Sequence, residues 1–113
     1  MNVQQTTTQP PLSHWLEAPE LDHLTEAFGS HLERLHRDAL MRLIATIAIA
    51  IEFEMTLSMA ADESKIWYFT WDEAHEQFDR AVAIVDSLPR EFHAKLLIAV
   101  TSCLEGQPES LLV

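Results

Sequence analysis

The amino-acid sequence predicts an all-α protein, a small helical bundle with one long central helix. The chain of 113 residues contains only two glycines, and neither Gly nor Pro occurs between Ser30 and Pro89. Apolar residues recur at the three- and four-residue spacing that is typical of helices facing a core. The length and the 48% hydrophobic content suit a single compact domain.

Pro19 opens the first predicted helix and Gly29 ends it. Proline is tolerated in the first turn of a helix, and glycine is a common residue just past the last turn. The apolar residues between them recur at helical spacing: Leu21, Leu24 and Phe28. We therefore predict a short helix over about residues 19–28.

The second predicted helix is the long central one. Ser30 and Glu33 form a capping box, in which both side chains bond to free backbone N–H groups at a helix start. A ladder of apolar residues four apart then runs without interruption through Leu35, Ala39, Leu43, Ile47, Ile51, Met55 and Met59. This pattern predicts a helix over residues 31–61, which would be roughly 46 Å long.

A β-hairpin within residues 47–71 is the alternative, which makes the fold α+β. From Ile47 to Met59 large apolar residues alternate with small or polar ones, which is the period of a half-buried strand. The aromatic run at 65–71 would supply the second strand. The abundance of Ala, Leu, Met, Glu and Arg in residues 39–61 favours the helix.

A second apolar stripe lies on the predicted central helix. Ile49, Phe53 and Leu57 fall on the face opposite Ile47 and Ile51. Both faces then need cover, so we expect this helix either to lie at the centre of the bundle or to bury its spare stripe in a homodimer.

Two further helices complete the predicted domain of residues 14–106. Thr70 and Glu73 form a second capping box, and a helix over 71–87 turns inward Ala74, Phe78, Ala81, Val82 and Val85. Pro89 marks the start of the last predicted helix, over residues 89–105. This helix is apolar almost all round, so we expect it to be the most buried. The polar segments 1–13 and 107–113 are predicted to be flexible tails.

Composition limits the partners. The formal net charge is -11 and the isoelectric point is about 4.7, so the surface repels nucleic acid and anionic lipid. The most apolar run, residues 43–51, falls well short of the roughly 20 residues of a membrane span. The single cysteine, Cys103, cannot form an internal disulfide, and the start of the chain lacks a secretory signal. We expect a cytoplasmic protein that binds neither nucleic acid nor membrane.

The letters Asp72, Glu73, Ala74 and His75 match a helicase motif. That motif works only beside a glycine-rich phosphate loop, which this sequence lacks. A carboxylate three residues before a histidine occurs at Glu20/His23, Glu33/His36 and Asp72/His75, as in metal-binding bundles, but helical wheels do not bring these pairs together. We predict no catalytic residue, metal or cofactor, and keep a metal-dependent enzyme as the alternative.

The most unusual composition lies in residues 65–71, where four aromatic residues cluster. Either they close one end of the bundle, or they anchor a partner protein, as Trp and Tyr on connecting segments often do. Acids that follow would steer a basic partner toward them. The predicted partner site comprises Trp67, Tyr68, Trp71, Asp72, Glu73, Glu76 and Asp79.

The sequence therefore predicts a small acidic protein-binding module that acts as an adaptor, inhibitor or regulator. Its partner is expected to be another protein with a basic or amphipathic surface. Nucleic-acid mimicry is one form of this function, although Arg34, Arg37 and Arg80 interrupt the acids.

Overall fold

The computed structural model describes residues 10–63 and 72–105, with the backbone alone for Asp72. Within these residues the chain forms no β-strand, and two short 3-10 turns, Leu12–His14 and Arg90–Phe92, accompany the α-helices. The five helices are α1 (Pro19–Phe28), α2 (Arg37–Phe53), α3 (Leu57–Glu63), α4 (Asp72–Val85) and α5 (His93–Glu105).

The all-α prediction is confirmed, and the hairpin alternative is wrong. Residues 47–53 belong to α2 and residues 57–59 to α3, so the predicted strand over residues 47–59 does not form. The other predicted strand, at 65–71, lies outside the described residues. Helix formers outnumber β-branched residues here, and helix propensity prevails over the alternating pattern.

α2 is the centre of the bundle. It packs against α3, α4 and α5, whereas α1 packs against α4. The core side of α2 carries Leu40, Leu43, Ile47 and Ala50, all buried. The expectation of a central helix is therefore met by α2.

The predicted start of the central helix at residue 31 is wrong, because the chain makes a tight turn there. Glu33 Oε1 accepts a hydrogen bond from the backbone N–H of His31 at 2.8 Å, and Leu32 has a positive φ of 54°. The helix begins after His36, whose Nδ1 accepts from the N–H of Asp38 at 3.1 Å. The glutamate of the predicted capping box thus closes a turn, and His36 caps the helix.

The predicted helix also ends early, at Phe53. Glu54 is left-handed, with φ 55° and ψ 49°, and the N–H of Met55 donates to the carbonyl of Ala50 at 3.0 Å. These features form the six-to-one bond of a Schellman stop, with Glu54 in the position that glycine usually takes. Arg90 donates to the Glu54 carbonyl and holds the corner.

Three residues separate the end of α2 from the start of α3. Thr56 Oγ1 accepts from the N–H of Met59 at 3.2 Å, and Asp86 Oδ1, just after the end of α4, accepts from the N–H of Ser58 at 2.8 Å. Two side chains therefore satisfy the free N–H groups of its first turn. The break also splits the predicted spare stripe: Leu57 is buried in α3 and Phe53 is exposed on α2.

The lengths of α2 and α3 decide whether a described helix could span a membrane. Within the two described ranges no single helix is long and apolar enough to cross a membrane. α2 and α3 meet that test only as a pair, and they are bent by 107° relative to each other.

The folded unit begins before residue 14. Leu12 is fully buried, and its backbone N–H donates to the carbonyl of Ser30 at 2.9 Å. Leu16 is buried as well. Residues 10–13, which we assigned to the tail, thus include a core residue.

α5 has the largest buried share of the described helices, as the sequence predicts, with six of its 13 residues buried, but its outer side is open to solvent. Ala94, Ile98 and Thr101 are exposed, and Ile98 retains 52% of its accessible surface. The inner side is buried as expected and carries His93, Leu96, Ala99, Val100, Ser102 and Cys103.

Candidate protein-binding surface

The structure places three of the seven predicted partner-binding residues together. Glu73, Glu76 and Asp79 are exposed on the solvent side of α4. Asp72 opens the same helix, but its side chain is not described. Trp67, Tyr68 and Trp71 lie outside the described residues. Glu73, Glu76 and Asp79 are therefore accessible on one side of α4, and the role of all seven residues in partner binding stays a prediction.

The opposite side of α4 fixes this surface on the core. Its buried residues are the ones that the sequence pattern turns inward: Ala74, Phe78, Ala81, Val82 and Val85. Their spacing of three, four and one residues leaves the intervening acids on the outside.

Side-chain hydrogen bonds position both ends of α4. Near its start, Gln77 Oε1 accepts from the N–H of His36 at 2.7 Å, and Gln77 Nε2 donates to the carbonyl of Arg34 at 3.2 Å. Just after its end, Asp86 accepts from Ser58 of α3. The acids of α4 are thus displayed on a helix attached at both ends.

α1 adds two more acids next to α4. Asp22 and Glu26 are exposed on α1, and α1 packs against α4. We use the name acidic face for the exposed acids of these two packed helices: Asp22, Glu26, Glu73, Glu76 and Asp79.

Two arginines near the acidic face are engaged within the protein. The guanidinium carbon of Arg80 lies 5.3 Å from the centroid of the Phe28 ring, a cation–π contact. Arg34 Nη2 donates to the backbone carbonyl of Glu26 at 3.1 Å. Both contacts direct a positive charge to a ring or a carbonyl oxygen of the protein, and the five carboxylates of the face stay exposed.

The helicase-like letters form the first turn of α4. His75 Nε2 lies 3.2 Å from Asp79 Oδ2, one helical turn further on. Gly29 lies at the C-terminal end of α1 with φ 101°, where it ends a helix and does not open a phosphate loop. The match to the motif is thus a pattern on an exposed helix.

The carboxylate and histidine pairs make separate local contacts. Glu20 accepts from the hydroxyl of Ser87 at 2.7 Å, and this hydrogen bond holds the pKa of Glu20 below its ordinary value. Partial burial raises the pKa of Glu33, but hydrogen bonds from the N–H groups of Glu33 and His31 outweigh burial and lower it. His36 caps α2. In the described part of the chain, no group of three or more His, Cys, Asp or Glu side chains is placed to hold a metal ion.

Cys103 is buried, as the sequence predicts. Burial raises the pKa of its thiol to about 11, and the negative charge of Glu33 adds to this rise, while a hydrogen bond with Ser102 opposes it. A thiol with so high a pKa is a poor nucleophile at neutral pH.

His93 is the titratable residue that the sequence reasoning missed. It is only 2% exposed and borders a cleft of about 300 Å³ between α2 and α5, together with Ala50, Ile51, Glu54, Arg90, Glu91 and Ala94. Burial lowers the pKa of His93, and the charge of Arg90 lowers it further; the Leu88 backbone and Asp86 oppose the shift. The helical spacing of His93 with Leu96, Val100 and Cys103 was the signal of its burial.

Comparisons with known proteins do not extend this description. No protein-family model, no curated protein and no solved structure matches the chain significantly. A function for this chain therefore has to be proposed from its own surfaces.

Proposed function

We propose that this chain is a small protein-binding module, an adaptor, inhibitor or regulator, whose acidic face docks on a basic surface of a partner protein. The observation that carries the proposal is the exposure of Glu73, Glu76 and Asp79 on one side of α4. α1, which packs against α4, adds the exposed acids Asp22 and Glu26. Opposed charges at an interface select partners and steer their encounter.

The net charge of -11 supports the same function. A strong field of one sign accelerates association with molecules of opposite sign, and salt screens it over roughly 8 Å at physiological ionic strength. Because the acids of the face are exposed, their effect falls mainly on the association rate and the salt dependence of binding.

Trp67, Tyr68 and Trp71 remain part of the proposal as anchors. In sequence they come just before α4 and so lie close along the chain to Glu73, the first α4 acid of the face. Tyr and Trp side chains supply most of the binding energy in many interfaces, whereas charges at the rim contribute orientation. Aromatic and acidic substitutions should therefore weaken binding in different ways.

We place this function in the cytoplasm and assign it no catalytic step. The single cysteine is buried and unpaired, which fits a compartment where thiols stay reduced. Nucleic-acid mimicry is a narrower form of the proposal, and it requires that DNA or RNA compete for the same partner surface.

The experiment is an affinity capture from the lysate of the native host at low and at physiological salt. A variant with Glu73→Gln, Glu76→Gln and Asp79→Asn removes three charges from the acidic face without changing side-chain volume. The matched control, with Glu52→Gln, Glu54→Gln and Glu91→Gln, removes three charges from exposed positions outside this face. Both variants have the same net charge and are checked for wild-type helicity and melting.

The proposal predicts a basic protein that the wild type and the control retain and that the acidic-face variant loses. Equal loss from both variants would mean that net charge alone causes retention. No specific protein in any lane would contradict a binding module of this kind.

A further inference from the structure

α2 and α5 present an apolar surface to solvent that the other described helices leave uncovered. On α2 the residues recur at intervals of three, four and three, which places them on one side of the helix. On α5 a second set follows at similar intervals. We call this surface the apolar face; it comprises Met41, Ile44, Ala48, Ile51, Ala94, Leu97, Ile98 and Thr101.

The exposure of this face is large for a small protein. Met41, Ile51 and Ile98 retain 48%, 38% and 52% of their accessible surface, and Ala48 and Ala94 are exposed. Ile51 and Ala94 border the same cleft, which joins the C-terminal end of α2 to the N-terminal end of α5. Large exposed apolar residues on two packed helices mark an interaction surface more often than a plain solvent surface.

The charge distribution indicates what covers it. The chain contains 18 acids, yet residues 39–51 and 93–104 contain none, and each run carries one base, Arg42 or Lys95. Two copies with a charge of -11 each repel one another, and this repulsion is weakest where both copies present these two acid-free stretches. The apolar face is therefore the surface on which a second copy meets least repulsion.

The spacing on α2 is self-complementary. If two α2 helices pack antiparallel about a two-fold axis near residue 46, Met41 of one copy faces Ile51 of the other, and Ile44 faces Ala48. The large residues Met41 and Ile51 then pack against each other, and the large Ile44 packs against the small Ala48, as in other antiparallel helix pairs. Ala48 near the centre allows a close approach. An isologous contact of this kind needs no second, different surface.

The size of the face is also sufficient. A helix of 17 residues is about 25 Å long, and two helices side by side are about 20 Å wide. The projected area is then roughly 500 Å² per partner, or about 1,000 Å² in total, which reaches the lower limit of a specific interface.

We infer that a second copy of this chain covers the apolar face and forms a two-fold symmetric dimer through α2 and α5. The sequence left the homodimer as one of two ways to cover the central helix, and it pointed to a different stripe. The acidic face lies on another pair of helices, α1 and α4, so the dimer leaves two acidic faces open to partners.

Sedimentation equilibrium over a wide range of concentrations tests the inference. The wild type is expected to reach twice the mass of one 12.9 kDa chain. Ala48→Glu and Ile98→Glu each place an acid on the apolar face and should raise the dissociation constant about 30-fold or more. Ala83→Glu places the same acid on an exposed position of α4 and should leave the dimer intact.

All three substitutions fall on exposed helical positions, so circular dichroism should show wild-type helicity. A wild type that stays monomeric at every concentration would overturn the inference and leave the face to a different partner. A dimer that withstands both Ala48→Glu and Ile98→Glu would overturn it as well, because the contact would lie elsewhere. Neither result bears on the acidic face, which the capture experiment tests separately.

Discussion

Gln77 and His36 are joined by a hydrogen bond across 41 residues of sequence, with 2.7 Å between the amide oxygen of Gln77 and the backbone nitrogen of His36. The nitrogen of the same amide donates to the carbonyl of Arg34. One side chain of α4 therefore fixes the turn that precedes α2.

Replacement of Gln77 by alanine should destabilise the protein. Loss of both hydrogen bonds leaves two backbone groups without their partner, and we expect the free energy of unfolding to fall by about 1–2 kcal/mol. Urea denaturation followed by circular dichroism measures this change. Glu76→Ala, on the exposed neighbouring position, should stay within about 0.5 kcal/mol of wild type; equal effects of the two substitutions would contradict the assigned role.

Thr46→Val should stabilise the protein. Thr46 is fully buried on α2, and its hydroxyl oxygen has no hydrogen-bond partner within the described chain. Valine has nearly the same shape without the polar group, so we expect a gain of about 1 kcal/mol in the free energy of unfolding. Thermal melting checks the gain, and Thr46→Ser, which keeps the hydroxyl and removes a methyl group, should lower the melting temperature instead.

Glu54→Gly should also stabilise the protein. A residue other than glycine in the left-handed region costs about 1–2 kcal/mol, and Glu54 lies there with φ 55°. Glu52→Gly, two residues earlier inside α2, should instead lower the free energy of unfolding by about 1 kcal/mol. Paired denaturation curves of the two variants decide this, since destabilisation by both would show that the stop at Glu54 is not strained.

His93 should make stability depend on pH. Its folded pKa lies below the ordinary value of 6.5, so the unfolded chain binds a proton more readily than the folded one. The favourable effect of a neutral, buried imidazole is complete above about pH 7.5 and is lost as the pH falls through 6.5. Denaturation between about pH 8 and pH 5.5 should therefore show a steeper loss for the wild type than for His93→Gln. The same loss of stability with falling pH in both proteins would contradict the lowered pKa of His93.

Local signals in the sequence were enough to predict α1 and α4. Pro19 and Gly29 mark the ends of α1, and the observed helix has the predicted range. The periodicity around Phe78 and Val82 identifies both the buried side of α4 and the exposed acids opposite. Each of these features depends on residues within a few positions of one another.

The break between α2 and α3 was not predictable in this way. Arg90 and Asp86, which bond to the corner and to the start of α3, are 36 and 28 residues away in sequence. Thr56 was the one local sign, because threonine is a preferred N-cap residue. The ladder of apolar residues concealed it, since the pattern continues across the break.

The candidate site was predictable to the extent that it is helical. The exposed positions of Glu73, Glu76 and Asp79 follow from the wheel of α4. The extension of the surface to α1 requires knowledge that α1 packs beside α4, which is a tertiary contact. The apolar face was missed for the same reason, because the burial of α2 depends on which helices cover it.

The central claim is that the acidic face binds a basic partner, and the most direct measurement is the affinity of the captured partner as a function of salt. The wild type and the variant with Glu52→Gln, Glu54→Gln and Glu91→Gln should bind tightly at low salt and lose affinity steeply as salt rises. The variant with Glu73→Gln, Glu76→Gln and Asp79→Asn should bind more weakly, with a shallower salt dependence. Identical affinities and slopes for the two triple variants would contradict the claim.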